Sequence, residues 1–87
     1  MIFMNKTNFT SDPFTSFAVE KGRVGRELYL TITGLGPVAV EMLQEDGVWR
    51  SFPESTFTGP GAYILEVAPT QVRVVISGGP TTVEVRT

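Results

Sequence analysis

The chain has 87 residues, no cysteine and no histidine, and its seven Lys and Arg against nine Asp and Glu leave a net charge of −2. The lack of cysteine and histidine excludes disulfides, ordinary zinc sites and nucleophilic catalysis of the Ser-His or Cys-His kind. The slightly acidic balance argues against binding along a nucleic-acid backbone, and the apolar runs are too short to cross a bilayer.

The length predicts one domain with a small core. For a chain of this size, the free energy gained by burying apolar surface nearly equals the entropic cost of ordering the chain. We therefore expect a marginally stable monomer. Self-association, or docking on a larger body, is the expected source of further stability.

The N-terminal residues are rich in Thr, Asn and Ser and follow neither the strand period nor the helix period. This composition predicts an irregular N-terminal arm over residues 1–16, followed by a single domain over residues 17–87. The arm carries Phe3, Phe9 and Phe14, which is unusual for a solvated tail. We expect it to lie either across its own domain or against a neighbour, and these three phenylalanines are the candidate interface residues.

Short alternating strands, separated by Gly and Pro, occupy the rest of the chain. The clearest spans Glu27 to Thr33, where aliphatic residues share one face and polar residues and a tyrosine share the other. Further strands are expected at residues 17–19, 62–67, 71–77 and 81–86. With turn signals at regular spacing and no helical period, the pattern predicts an all-β fold, a small antiparallel sandwich or squat barrel of roughly six to seven strands.

An Asp-Gly pair, Asp46 and Gly47, lies between two β-rich runs and predicts a β-hairpin over Val38–Phe52. Trp49, the only tryptophan, follows this turn closely, and we expect it to anchor the core together with Phe52. A second interpretation makes the aromatic residues a stacking platform for a sugar or a base, formed by Trp49, Phe52, Tyr29 and Tyr63.

The charged side chains do not form a recognisable catalytic or metal-binding set. Glu45 and Asp46 are the only adjacent acidic residues, and both belong to the predicted turn, where we expect them to be solvated. Lys6 and Lys21 lie in predicted loops, without the burial that would activate an amine. The sequence therefore predicts no enzymatic activity, no cofactor and no metal.

The order of turns and strands from Val38 onward forms a recognisable series. A Val-x-Val strand and the Asp-Gly turn with Trp49 just after it are followed by Gly59-Pro60-Gly61-Ala62-Tyr63, the run Val72–Gly79 and a closing Thr-Thr-Val-Glu-Val strand. Over about residues 24–87, this order resembles the small all-β virion proteins of tailed bacteriophages. Among these, it is most similar to capsid decoration (cement) proteins and to accessory fibre or connector proteins.

The resemblance implies a homo-oligomer, commonly a trimer, that sits on the outside of a phage head and bridges major capsid subunits. Its expected location is the virion, assembled in the host cytoplasm, and the N-terminus lacks the pattern of a secretory signal. Two alternatives stay open: a carbohydrate- or surface-binding β-module, and a head–tail junction or tail accessory protein. Neither a nucleic acid nor a membrane is an expected partner.

Overall fold

The computed structural model describes residues 1–15, 19–20, 23–24, 27–66 and 71–86. Regular structure in these residues is β-strand, apart from one turn of 3-10 helix at Pro53–Ser55. The strands are β1 (Ile2–Lys6), β2 (Phe9–Thr10), β3 (Phe14–Thr15), β4 (Val19–Glu20), β5 (Arg23–Val24), β6 (Glu27–Gly34), β7 (Val38–Leu43), β8 (Trp49–Arg50), β9 (Thr56–Phe57), β10 (Gly61–Glu66), β11 (Gln71–Ile76) and β12 (Thr81–Arg86).

Two antiparallel sheets enclose the core, so the predicted all-β sandwich is confirmed. Sheet 1 has the strand order β1-β12-β6-β10. Sheet 2 has the order β2-β11-β7-β8, and in addition β3 pairs with β11 and β9 pairs with β7. Strands β4 and β5 pair with each other.

The core between the sheets is aliphatic. The predicted alternation in β6 is confirmed, since its aliphatic side chains are buried and its intervening residues are exposed or half-buried. Strands β7, β11 and β12 alternate in the same way, as period-2 side-chain geometry requires. The buried apolar residues are Leu28, Leu30, Ile32, Val38, Val40, Leu65, Val72, Val74, Ile76, Val83 and Val85.

The predicted hairpin is confirmed, but the predicted role of its tryptophan is wrong. Strands β7 and β8 pair with Leu43 opposite Trp49, and Gly47 adopts a positive φ of 81° in the turn. Because Met42 faces the core, its neighbour Leu43 and the paired Trp49 face the outside of sheet 2. Trp49 is half-buried there, and Phe52 is exposed, so neither belongs to the core.

Residues 1–15 form part of both sheets and are not an arm separate from the domain. Strand β1 pairs with β12 in sheet 1, whereas β2 and β3 pair with β11 in sheet 2. The sequence predicts that the segment lies either across its own domain or against a neighbour. It lies across its own domain, as short strands joined by bends. The strand expected at residues 17–19 lies mostly outside the described residues, as do the residues that follow Glu66 in the strand expected at 62–67.

Ser11 anchors this segment between β2 and β3, where the pairing with β11 is interrupted. The Ser11 N–H donates to the Val74 carbonyl oxygen at 2.8 Å, and the Val74 N–H donates to Ser11 Oγ at 2.9 Å. Ser11 is buried, so these bonds lie away from water. The serine hydroxyl thus takes the place of a backbone acceptor in the ladder.

We expect Ser11→Ala to lower the free energy of unfolding by about 1–3 kcal/mol, because the buried Val74 N–H loses its acceptor. Chemical denaturation followed by circular dichroism measures the change. Ser77→Ala is the matched control, since Ser77 is exposed. Equal stability of the wild type and Ser11→Ala would contradict the anchoring role of the hydroxyl.

Candidate functional site

The three candidate interface phenylalanines, Phe3, Phe9 and Phe14, are half-buried against the chain's own core. The rings of Phe3 and Phe9 lie 5.6 Å apart, and Lys6 Nζ lies 5.0 Å from the centre of the Phe9 ring. These contacts explain why a segment rich in Thr, Asn and Ser carries aromatic residues: the rings attach it to the sandwich. The part of each ring left for a partner is correspondingly reduced.

Trp49 forms a layered contact with two charged residues on the outer face of sheet 2. The Arg73 guanidinium carbon lies 4.5 Å from the centre of the Trp49 ring, in a cation–π contact. Arg73 Nε also lies 2.6 Å from Glu41 Oε1, and both charged side chains are mostly buried. One face of the indole is therefore occupied by Arg73, which leaves only the opposite face for stacking on a ligand.

The other proposed members of an aromatic platform lie elsewhere. The Tyr63 ring packs on Phe57, with the ring centres 4.5 Å apart, and its hydroxyl donates to the Gly59 carbonyl oxygen at 2.9 Å. Tyr29 lies on the outer face of sheet 1, on the opposite side of the sandwich from Trp49. The structure therefore does not bring these four aromatic residues together.

The acidic pair in the β7–β8 turn has a local structural role. Asp46 Oδ1 accepts hydrogen bonds from Arg50 Nη1 and from the Val48 N–H, both at 3.1 Å, and Asp46 Oδ2 lies 2.9 Å from Arg50 Nη2. The Arg50 hydrogen bond, and secondarily that from Val48, holds the pKa of the Asp46 carboxyl below its ordinary value. Within the described residues, no three acidic side chains gather closely enough to hold a metal ion.

The outer face of sheet 1 carries exposed apolar side chains. Ile64 on β10 pairs with Tyr29 on β6, which in turn pairs with Arg86 on β12. On β1, Ile2 and Met4 alternate with the inward-facing Phe3. The exposed fractions are 50% for Ile2, 65% for Met4, 39% for Tyr29 and 63% for Ile64. This face combines exposed apolar and polar side chains, which is suited to packing against another protein.

A groove of about 380 Å³ lies between the end of β10 and residues of sheet 2 and the 3-10 turn. Ile64, Leu65 and Glu66 form one wall. The other wall comes from sheet 2 and the 3-10 turn, through Met42, Phe52, Glu54 and Ser55. The groove thus combines apolar side chains with two carboxylates.

The carboxylates near this groove lack cationic partners among the described residues. Glu66 is directly opposite Glu27 on the neighbouring strand β6, and both are exposed. Ion pairs of the described residues involve other carboxylates, those of Asp46, Glu41 and Glu84. Like charges opposite each other on paired strands are destabilising, so we expect the pairing of Glu27 with Glu66 to be unfavourable.

Comparison with protein-family models, with curated proteins and with solved structures finds no match. The described residues contain no helix with the length and apolar character needed to span a membrane.

We expect Glu66→Lys to raise the free energy of unfolding by about 0.2–1 kcal/mol, because it replaces a repulsive pair with an attractive one opposite Glu27. Thermal denaturation at low salt measures the gain, which should shrink as salt is added. Glu45→Lys, with the same change of charge in the exposed β7–β8 turn, is the matched control. A loss of stability in Glu66→Lys would show that the Glu27–Glu66 pair is not repulsive.

Proposed function

We propose that this chain is a structural virion protein, a capsid decoration (cement) protein. In this proposal it self-associates, commonly as a trimer, and binds the outside of a phage head, where it bridges major capsid subunits. The sequence resemblance over residues 24–87 motivates the virion assignment. The structural observation that supports it is the outer face of sheet 1, whose exposed apolar side chains are suited to contact with another protein.

The outer face of sheet 1 has the properties that such contacts require. Its apolar side chains stand on both edge strands, with Ile2 and Met4 on β1 and Ile64 on β10. Tyr29 and a charged or hydroxyl-bearing row on β6 and β12 lie between them. Apolar side chains combined with polar groups that can form hydrogen bonds are the usual composition of a protein–protein interface. Association through it would add the buried area that a chain of this size lacks as a monomer.

The test is a triple variant of this face, Ile2→Thr, Met4→Thr and Tyr29→Thr, which retains strand-compatible residues at exposed positions. We expect the wild type to sediment as an oligomer and to co-sediment with decoration-free phage heads. The variant should dissociate and lose head binding, because it lacks the apolar contact area. Analytical ultracentrifugation measures both properties.

The matched control is Leu35→Thr with Val48→Thr, which also removes exposed apolar side chains but in turns away from this face. It should leave both the oligomer mass and head binding unchanged. A wild-type chain that is monomeric at high concentration and does not bind heads would contradict the proposal. Point variants are preferable to removal of residues 1–15, because that segment is paired with both sheets.

A second candidate function, a carbohydrate-binding module, is favoured by one observation. Trp49 is half-buried beside the Arg73–Glu41 pair, and an indole next to charged hydrogen-bonding groups is a combination that can hold a sugar ring. In that case, soluble oligosaccharides should change the fluorescence of Trp49 in a saturable manner, and Arg73→Ala should alter the response. A flat titration across a glycan panel would exclude this candidate.

A further inference from the structure

The edge strands of this sandwich differ in how they are protected from pairing with another chain. An exposed strand edge offers unpaired N–H and C=O groups, and proteins usually protect it with bulges, lysines or very short strands. On β1, a register shift lies between Phe3 and Lys6, Asn5 has a positive φ of 53°, and the strand ends in a lysine. The edges of sheet 2 are formed by strands of two residues, namely β2, β3, β8 and β9.

Strand β10 has none of these protections. It pairs with β6 over six consecutive residues without a register shift, from Gly61 to Glu66. Its only charged residue is Glu66 at the end, and it contains no lysine or proline. Among the described strands, β10 pairs with β6 alone, so no described strand occupies its second edge.

The groove beside this edge has a rigid far wall. The Phe52 N–H donates to Ser55 Oγ at 2.9 Å, and the Ser55 N–H donates to the Phe52 carbonyl oxygen at 2.9 Å. Thr56 Oγ1 donates to the same carbonyl oxygen at 3.1 Å, and Ser55 is fully buried. The 3-10 turn therefore fixes the backbone at Phe52, so a guest strand meets a wall whose main chain is preformed.

The charge of the groove favours a cationic guest. Glu54 and Glu66 line it, Glu27 lies opposite Glu66, and no lysine or arginine is among its described lining residues. A positive side chain placed next to Glu66 would relieve the repulsion between Glu27 and Glu66. The described residues here do not form a metal site, so the complementary partner is a basic side chain.

We infer that the open edge of β10 binds an extended segment of another protein that alternates basic and apolar residues. The segment adds to sheet 1 as a further strand and forms main-chain hydrogen bonds with β10. Side chains on one face of the added strand enter the groove and contact Met42, Phe52 and Leu65. Those on the other face lie beside Ile64 and Glu66, where a lysine or arginine meets the unpaired carboxylates.

A second copy of this chain is a poorer occupant. β10 contains no lysine or arginine, so pairing β10 with β10 of another molecule would place no cation beside Glu54 or Glu66. Such a contact leaves the repulsion between Glu27 and Glu66 in place, whereas a basic segment relieves it. The inference goes beyond the proposed function, because the edge and the groove belong to the isolated chain and require no capsid.

The probe is a short synthetic peptide that alternates lysine and valine, titrated into the isotope-labelled full chain and followed by NMR. We expect saturable shifts of the backbone amides of Gly61–Glu66 and of the groove residues, and peptide–protein contacts across the β10 edge. The double variant Glu54→Lys and Glu66→Lys should weaken binding roughly tenfold, which is the sum expected for two exposed charge contacts. Added salt should weaken binding to the wild type in the same direction.

The controls separate strand addition from general attraction to an acidic protein. A glutamate–valine peptide of equal length should bind roughly tenfold more weakly or worse, because its carboxylates are repelled by Glu54 and Glu66. Glu45→Lys should leave the affinity for the lysine–valine peptide within about twofold. Binding by both peptides alike, amide shifts away from β10, or no saturable binding would each overturn the inference.

Discussion

The pairing of the N-terminal segment with both sheets is the constraint on which this sandwich depends. Residues 1–15 supply the edge strand next to β12 in sheet 1 and the strands next to β11 in sheet 2. The segment thereby forms an edge of each sheet. The hydrogen bonds between Ser11 and Val74 hold it against β11 between β2 and β3. Met1 also exchanges main-chain bonds with Val85, so the two ends of the chain are adjacent. Pairing strands that are far apart in the sequence has an entropic cost of loop closure. These strands can therefore form only when the rest of the chain folds with them.

Local sequence patterns predicted the part of the fold that depends on neighbouring residues. Alternation identified β6, and the turn chemistry of Gly47 identified the β7–β8 hairpin. The N-terminal strands escaped this reasoning because two of them are only two residues long, too short to show a period, and their partners lie far along the chain. Their sequence signal was the group of phenylalanines, which reports attachment to the core.

The placement of the tryptophan shows why side-chain size is a weak guide to burial in a sandwich. Trp49 is the largest side chain, yet its pairing with Leu43 places it on the outer face of sheet 2. A shift of one residue would have placed it in the core. The inner faces of β6, β7, β11 and β12 are already filled with aliphatic residues, so the aromatic rings pack at the periphery. The partner of Trp49, Arg73, could not be predicted, because cross-strand neighbours follow from strand order and register.

The groove beside β10 likewise could not be predicted from the sequence, since Met42, Glu54 and Ile64 become neighbours only through the topology. Two locally unfavourable features coincide there: a regular strand edge without protection, and carboxylates without partners. Elsewhere in the described chain, the carboxylates of Glu41, Asp46 and Glu84 have cationic partners, and the other strand edges are short or irregular. Locally destabilising features are usually found at functional positions. There, the loss of stability in the free protein is offset when a partner binds. At position 66, a lysine would favour the stability of the free chain, because it would lie opposite Glu27. The glutamate present there instead favours the proposed binding of a basic strand.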